Sequence, residues 1–389
     1  LGELGVDTSA ITQQGAEQPE PEEQGVAEES EKNPHTSALG KALYRDLSKE
    51  KQASPAQVKR NQERWAQRQA EKNKELNYLI NSLNIKQSEL RSSDQGVNLA
   101  KYLDPSGSLL IPMPMVNILS GGAHAAKTMD IQDVLIIPSQ ANSFRQALEW
   151  IVAVRECAAK DGKEIGTTHL IADEGGLGLP FPSINSACDF ISKCAQEVGL
   201  TMGNQVAIAL DIASTQLFDG SKYQLPVEEK SFTPDEFVKF ISNLVTSQPI
   251  ISIEDPFAED DWGSWHSFME VAPKGLQVVG DDLFTTNATR LARGVAERSA
   301  NAILIKPNQN GLVTFTESVL KMAQSEGLNT IVSARSGETE DSWLADLATG
   351  WRAGQIKVGS THGSDRTAKW NRLLELEATQ NTTFAKPFN

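Results

Sequence analysis

Six short apolar runs recur along the chain, each closing on or beside an ionisable residue: VAIALD (206–211), IISIE (250–254), LQVVGD (276–281), ANAILIK (300–306), NTIVSAR (329–335) and GQIKVG (354–359). Amphipathic segments such as TPDEFVKFISNLV, NATRLARGVAE, LVTFTESVLKMAQSEG and EDSWLADLATG lie between them, so strands alternate with helices. From one polar strand end to the next the spacing is 43 residues from Asp211 to Glu254, then 27 to Asp281, 25 to Lys306, 29 to Arg335 and 22 to Lys357. That is the length a strand, its crossover helix and two turns require. The alternation implies a parallel sheet with helical crossovers. Repeated this often with apolar strands, it fits an α/β protein built as a TIM-type (β/α)8 barrel of about 250 residues. An open doubly wound sheet is the competing architecture, but no glycine-rich dinucleotide fingerprint follows any of the strands.

In such a barrel the C-terminal strand ends meet at one mouth. Asp211, Glu254, Asp281, Lys306, Arg335 and Lys357 would then be neighbours. A single acid at a strand end is as often a helix cap as a ligand. Three of them on successive strands, without His or Cys, form a hard oxygen set suited to Mg²⁺ or Mn²⁺. Side-chain alternation turns Glu254 into the mouth and Asp255 away from it, and favours Asp281 over Asp282. Asp255 with Pro256 also reads as a helix cap and first helical position. A lysine buried beside a metal is pushed toward the neutral form, so Lys306 and Lys357 are candidate bases. Glu174 and His124 sit beside glycine pairs, which alone are ordinary turn signals. Arg335 and Ser336 suit a phosphate or carboxylate, a structural ion pair being the alternative for any lone arginine.

The net charge of −15 disfavours nucleic acid and anionic membranes as general partners. No apolar stretch reaches the ~18 residues a membrane span takes. Cys157, Cys188 and Cys194 fall in helical stretches, make no ligand pattern, and read as buried free thiols of a reducing compartment. Residues 1–50 are expected to be an acidic, mostly disordered segment, since AEQPEPEEQGVAEESEK carries seven acids against one lysine. Residues 54–104 read as a helical segment opened by Ser54 and Pro55, with a patchy stripe of Val58, Trp65, Leu76, Leu79, Ile80 and Leu83. The barrel is expected over 105–389. The chain begins at Leu1 without Met, so the lack of a leader signal says little about the natural start.

The stretches PMPMVNILSGGAHA, DEGG, SIEDPF, VVGDDL, LIKPNQNG, RSGETED and GQIKVGS, in order over residues 111–379, resemble the enolase family, the glycolytic phosphopyruvate hydratases. The resemblance implies a cytoplasmic, Mg²⁺-dependent lyase, commonly a homodimer, acting on a small phosphorylated carboxylate. Lys306 would be the base at C2 of 2-phosphoglycerate and Glu174 the general acid. Asp211, Glu254 and Asp281 would hold the tighter of one or two Mg²⁺ ions. His124, Asp133, Arg335, Ser336 and Lys357 would contact substrate.

Three departures stand out. The family has His where this chain has Ala334, and Glu where it has Asp133. The family's N-terminal capping domain, whose mobile serine loop helps bind the second Mg²⁺, is not recognisable in residues 1–110, where the helical segment is its remnant or replacement. Two other outcomes therefore stand beside an active enolase: an enolase-like binding or structural component without useful catalysis, and a related lyase acting on another carboxylate or phosphonate.

Overall fold

The computed structural model describes residues 96–165 and 170–388. The acidic segment 1–50 and the helical segment 54–104 up to residue 95 lie outside the described residues. Along the described chain run β1 (Leu109–Ile111), β2 (Met113–Ser120), β3 (Asp133–Ile137), β4 (Ala207–Asp211), β5 (Tyr223–Leu225), β6 (Lys230–Phe232), β7 (Ile250–Glu254), β8 (Gln277–Gly280), β9 (Ala302–Ile305), β10 (Asn329–Ser333), β11 (Gly354–Gly359) and β12 (Thr382–Phe384). Eight of them close into a barrel in the order β2-β3-β4-β7-β8-β9-β10-β11, with β11 returning to β2. β1 pairs with β12 and β5 with β6 outside the barrel.

All six apolar runs that mark the sequence are barrel strands, but the sheet is not parallel throughout. β3 runs antiparallel to both β2 and β4. The cause is the connection: residues 121–132 contain only the 3₁₀ turn Gly122–Ala125, not a crossover helix. Because β3 runs downward, its first residue, Asp133, lies at the mouth, opposite both Ser120 and Asp211. The chain then uses two helices, Phe144–Ile165 and Ile184–Glu197, to reach β4. The segment between them comes back to the mouth, where Ser120 N–H donates to the Leu177 carbonyl at 3.0 Å.

The helices start where local chemistry starts them. Ser183 and Ser186 form a reciprocal capping box ahead of Ile184–Glu197. The Glu236 carboxylate accepts from Thr233 N–H and Oγ1 ahead of Pro234–Ser247. Asn287 Oδ1 accepts from the Thr289 and Arg290 amides ahead of Ala288–Glu297. The Asp255-Pro256 pair does not start a helix. The next helix is Trp262–Val271, and its cap is Asp261. The short helix Leu99–Leu103 docks on the barrel, with Ala100 N–H donating to Asp346 Oδ1 and Asp104 paired with Arg352 at 2.9 Å. Among the described residues no helix is long and apolar enough to cross a membrane.

Two apolar layers result from the period-two alternation of the strands. Val134, Ile136, Ile303, Ile305 and Val332 face the helices. Met113, Met115, Leu135, Ile137, Ala209, Val279, Ala302, Leu304 and Ile331 fill the barrel interior. Each interior row has a next step toward the mouth, and there the residue type changes.

Candidate active site at the barrel mouth

Two residues beyond Met115 is Asn117, two beyond Ala209 is Asp211, two beyond Val279 is Asp281, and two beyond Leu304 is Lys306. On the reversed strand the same step from Leu135 leads back to Asp133. β7 and β11 add Glu254 and Lys357. One barrel radius therefore converts scattered polar strand ends into a single charged layer over an apolar floor.

The layer is arranged as alternating charge. Lys357 Nζ lies 2.7 Å from Asp211 Oδ2 and 2.7 Å from Glu254 Oε2, with all three side chains buried. Lys306 Nζ pairs with Asp281 Oδ2, and Gln309 Nε2 donates to Asp281 Oδ1 at 3.3 Å. Burial opposes every one of these charges, and the partners decide the outcome. Burial lowers the Lys357 ammonium, but Asp211 and Glu254 outweigh it and hold the group well above the ordinary lysine value. Two carboxylates share that one ammonium, so burial and the charge on Asp211 together drive the Glu254 carboxyl upward. Asp281 goes the other way: burial raises it, yet Lys306 brings it below the usual carboxylate range. Lys306 is set by the same contest; the neutral form expected from the sequence belongs to a lysine beside a bound cation. Burial lowers it, but the Asp281 carboxylate reverses the sign, so the amine is charged in this state.

Asp255 caps no helix and lies beside Asp281 rather than turned away from it. With φ at +41° its carboxylate accepts from the Asp281 N–H at 2.9 Å and the Asp282 N–H at 2.8 Å, fixing the loop that carries Asp281. Asp282 is only half-buried. Burial and the neighbouring Asp281 push its carboxyl up to about 6.

The opposite wall comes from the β2–β3 turn and the segment 170–183. Ser120 Oγ donates to Asp133 Oδ1 at 2.5 Å, while His124 Nδ1 stands 3.8 Å from Asp133 Oδ2. Burial, then the charges of Glu174 and Asp211, raise Asp133 well above its ordinary value. Glu174 is held at both oxygens, by Asn117 Nδ2 and by Ser336 Oγ, each at 3.1 Å. Its two following glycines are sterically required. Gly175 has φ +85°, and a Cβ there would stand 2.9 Å from the His362 carbonyl, while one on Gly176 would stand 2.2 Å from Ser120 Oγ. Arg335 reaches Asn308 Oδ1 at 3.4 Å. Ala334 is buried, its N–H donating to the Lys357 carbonyl at 2.9 Å.

Asn117, Arg366 and Lys369 are the positioning residues that sequence reasoning missed. Arg366 is wholly buried and donates to the carbonyls of Arg335, Ser336 and Val358 at 2.7, 2.6 and 2.9 Å. Lys369, also buried, pairs with Glu338 at 3.1 Å and donates to the Thr339 carbonyl. Together they pin the loop bearing Arg335 and Ser336. Asn117 could have been found by extending the Met113, Met115 row. Arg366 and Lys369 carry no such signal, since charges in a helix pattern ordinarily face water.

The donor set fits a hard divalent cation. Glu254 Oε1 and Asp133 Oδ2 are buried with no hydrogen-bond partner, and an orphaned buried carboxylate oxygen is costly unless a cation or donor completes it. The oxygens gathered within 4.8 Å of one another at the mouth are those of Asp255, Asp281 and Asp282, not of Asp211, Glu254 and Asp281. Lys357 Nζ stands between Asp211 and Glu254, and Lys306 Nζ pairs with Asp281. Both oxygens of Asp255 also accept from backbone amides, so it clasps the Asp281 loop.

A closed eight-stranded barrel with acids and lysines gathered over one end defines a TIM-type barrel protein with its site at the strand ends. The comparison with known proteins makes the kind specific. The family described as "Enolase, C-terminal TIM barrel domain" matches residues 108–385. A curated enolase of Natranaerobius thermophilus is 42% identical over 281 residues, which is 72% of this chain and 66% of the relative. The chain belongs to the enolase family, and its match spans just under two-thirds of that relative's length.

Proposed function

We propose that this chain is a lyase that dehydrates 2-phospho-D-glycerate to phosphoenolpyruvate with Mg²⁺. The observation that carries this reading is the alternation of buried acid and buried lysine in one layer: Lys357 between Asp211 and Glu254, and Lys306 on Asp281. Asp211, Glu254 and Asp281 would hold the ion, which supplies positive charge beside the substrate carboxylate as the adjacent C–H proton leaves. Lys306, released from Asp281 and neutral, takes that proton from C2. Glu174, oriented by Asn117 and Ser336, gives its proton to the C3 hydroxyl, which departs as water. Lys357, Arg335, Ser336, His124 and Asp133 line the same mouth and bind the carboxylate and phosphate, so orientation is fixed before proton transfer. We propose a homodimer in the cytoplasm as the working assembly. No nucleic acid or membrane is needed as a partner.

The test is phosphoenolpyruvate formation, followed by its ultraviolet absorbance with and without Mg²⁺. Lys306→Ala is expected to lower the rate by about 10²–10⁴-fold with circular dichroism unchanged. Turnover retained in that variant rejects the role of Lys306. No product from the parent chain with Mg²⁺ rejects the reaction.

One observation supports a second reading. Ala334, buried and tied to Lys357 only through the backbone, stands where the family carries an imidazole. The chain would then be an enolase-like binding component, or a lyase for another carboxylate or phosphonate. Ala334→His separates these. A gain of about tenfold or more in phosphoenolpyruvate formation marks an impaired enolase, by analogy with the cost of one missing transition-state donor. No gain favours the second reading.

A further inference from the structure

The outer face of the barrel carries a second cluster of ligand-type side chains. Cys157 and Asp161 lie one turn apart on the helix Phe144–Ile165, and Cys194 and Glu197 lie three residues apart on the helix Ile184–Glu197. The two helices pack together. The sulfurs of Cys157 and Cys194 and an oxygen of Asp161 all lie within 4.8 Å of one another. Glu197 joins them, its Oε2 accepting from Cys157 Sγ at 3.4 Å. The sequence showed no ligand pattern because the two halves are separated by the whole segment that carries Glu174. Only helix packing brings them together.

A cation is already drawn to the cluster. Lys193 Nζ lies 3.0 Å from Asp161 Oδ2 and 3.2 Å from Glu197 Oε1, and its side chain is 60% exposed, so it is free to swing into water. Cys194 is buried and Cys157 half-buried, which leaves access from one side. Two sulfurs and two carboxylates make four donors, the number a tetrahedral Zn²⁺ takes. Metal–ligand bonds of about 2.0–2.3 Å set such donors about 3.3–3.8 Å apart, inside the 4.8 Å that spans Cys157, Cys194 and Asp161, with Glu197 reaching the group through Cys157.

We propose that Cys157, Asp161, Cys194 and Glu197 form a site for a thiophilic divalent cation, Zn²⁺ or Cd²⁺, that clips these two helices together. Binding exchanges two S–H protons, released to the buffer, for two metal–sulfur bonds, and displaces the Lys193 ammonium to solvent. Burial pushes both thiols up, so neither is a reactive thiolate by itself, and deprotonation comes with the metal. The hard oxygen set of the mouth and this sulfur-containing set would select different ions from one solution. The clip ties together the two helices that flank the segment bearing Glu174, so its occupancy would stiffen that connection without touching the mouth.

The test is a Cd²⁺ titration of the full chain, with saturating Mg²⁺ and a phosphine reductant, read by thiolate-to-cadmium charge-transfer absorption in the ultraviolet. The expected result is one equivalent per chain. Cys157→Ser should reduce the band to half or less. Asp161→Asn, which keeps the side chain's size, should weaken binding by about 10-fold or more while the metal-free chain stays folded by circular dichroism. Absence of the band in the parent chain overturns the proposal. So does an undiminished band in Cys157→Ser or in a Cys157→Ser/Cys194→Ser pair.

Discussion

The charged layer at the mouth and the apolar layer beneath it are built from the same strands, on the same inward-facing parity, about two residues apart. Leu304 fills the barrel and Lys306 is an ammonium on Asp281. Ala209 fills the barrel, and Asp211 shares the ammonium of Lys357. The difference shows what each layer asks of its residues. The lower layer is stabilised by removing area from water, roughly 25 cal/mol per Å², and any apolar group of the right volume serves. The upper layer buries charge, where each carboxylate depends on a specific partner and removing one partner leaves the other uncompensated.

Lys357→Met should break the upper layer alone and have the largest effect on stability. Asp211 and Glu254 would lose their shared ammonium, at a cost of about 3–5 kcal/mol for stranding buried charge. Denaturant midpoints in EDTA would show the loss. Added Mg²⁺ should restore more stability to this variant than to the parent chain, because an ion no longer competes with an ammonium for the two carboxylates. An equal Mg²⁺ increment in both proteins would mean that Lys357 and the ion do not compete.

Leu304→Ala tests the lower layer. It should cost about 2–5 kcal/mol through lost transfer energy and an unfilled cavity. Its Mg²⁺ increment should equal that of the parent chain, since no charge has moved. A larger increment would show that the floor of the barrel tunes the mouth, which would erase the distinction between the layers.

Much of this division was legible in the sequence, because period-two alternation fixes direction without any knowledge of the sheet. The ends of VAIALD, IISIE, LQVVGD and ANAILIK converge for that reason. What alternation leaves open is which acid takes which lysine, since that depends on barrel shear and not on any one strand. Strand direction was also hidden at β3, where a short connection overrode the regular helix-and-strand rhythm. The clasp of Arg366 and Lys369 around the Arg335 loop was hidden because a helix displays such residues identically whether they face water or a buried carbonyl. The cysteine cluster was hidden because its spacing along the chain says nothing about helix packing.

The smallest expected effect lies at the edge of the upper layer, where Asp282 is half-buried beside Asp281. Its carboxyl is raised by burial and by that neighbouring charge to about 6 in the folded chain, against the ordinary value of 3.8. A carboxyl raised on folding favours the folded state while it is protonated. Its contribution is therefore complete below about pH 4 and is lost as pH rises through 6. Asp282→Asn, which keeps the neutral shape at every pH, should leave metal-free stability unchanged near pH 4. It should add on the order of 1 kcal/mol at pH 7.5, where the parent chain has charged the group against Asp281. Urea midpoints in EDTA at the two pH values measure the difference. A variant no more stable at pH 7.5 would mean that Asp282 already has a compensating partner there, and that the charge mismatch ends at Asp281 and Glu254.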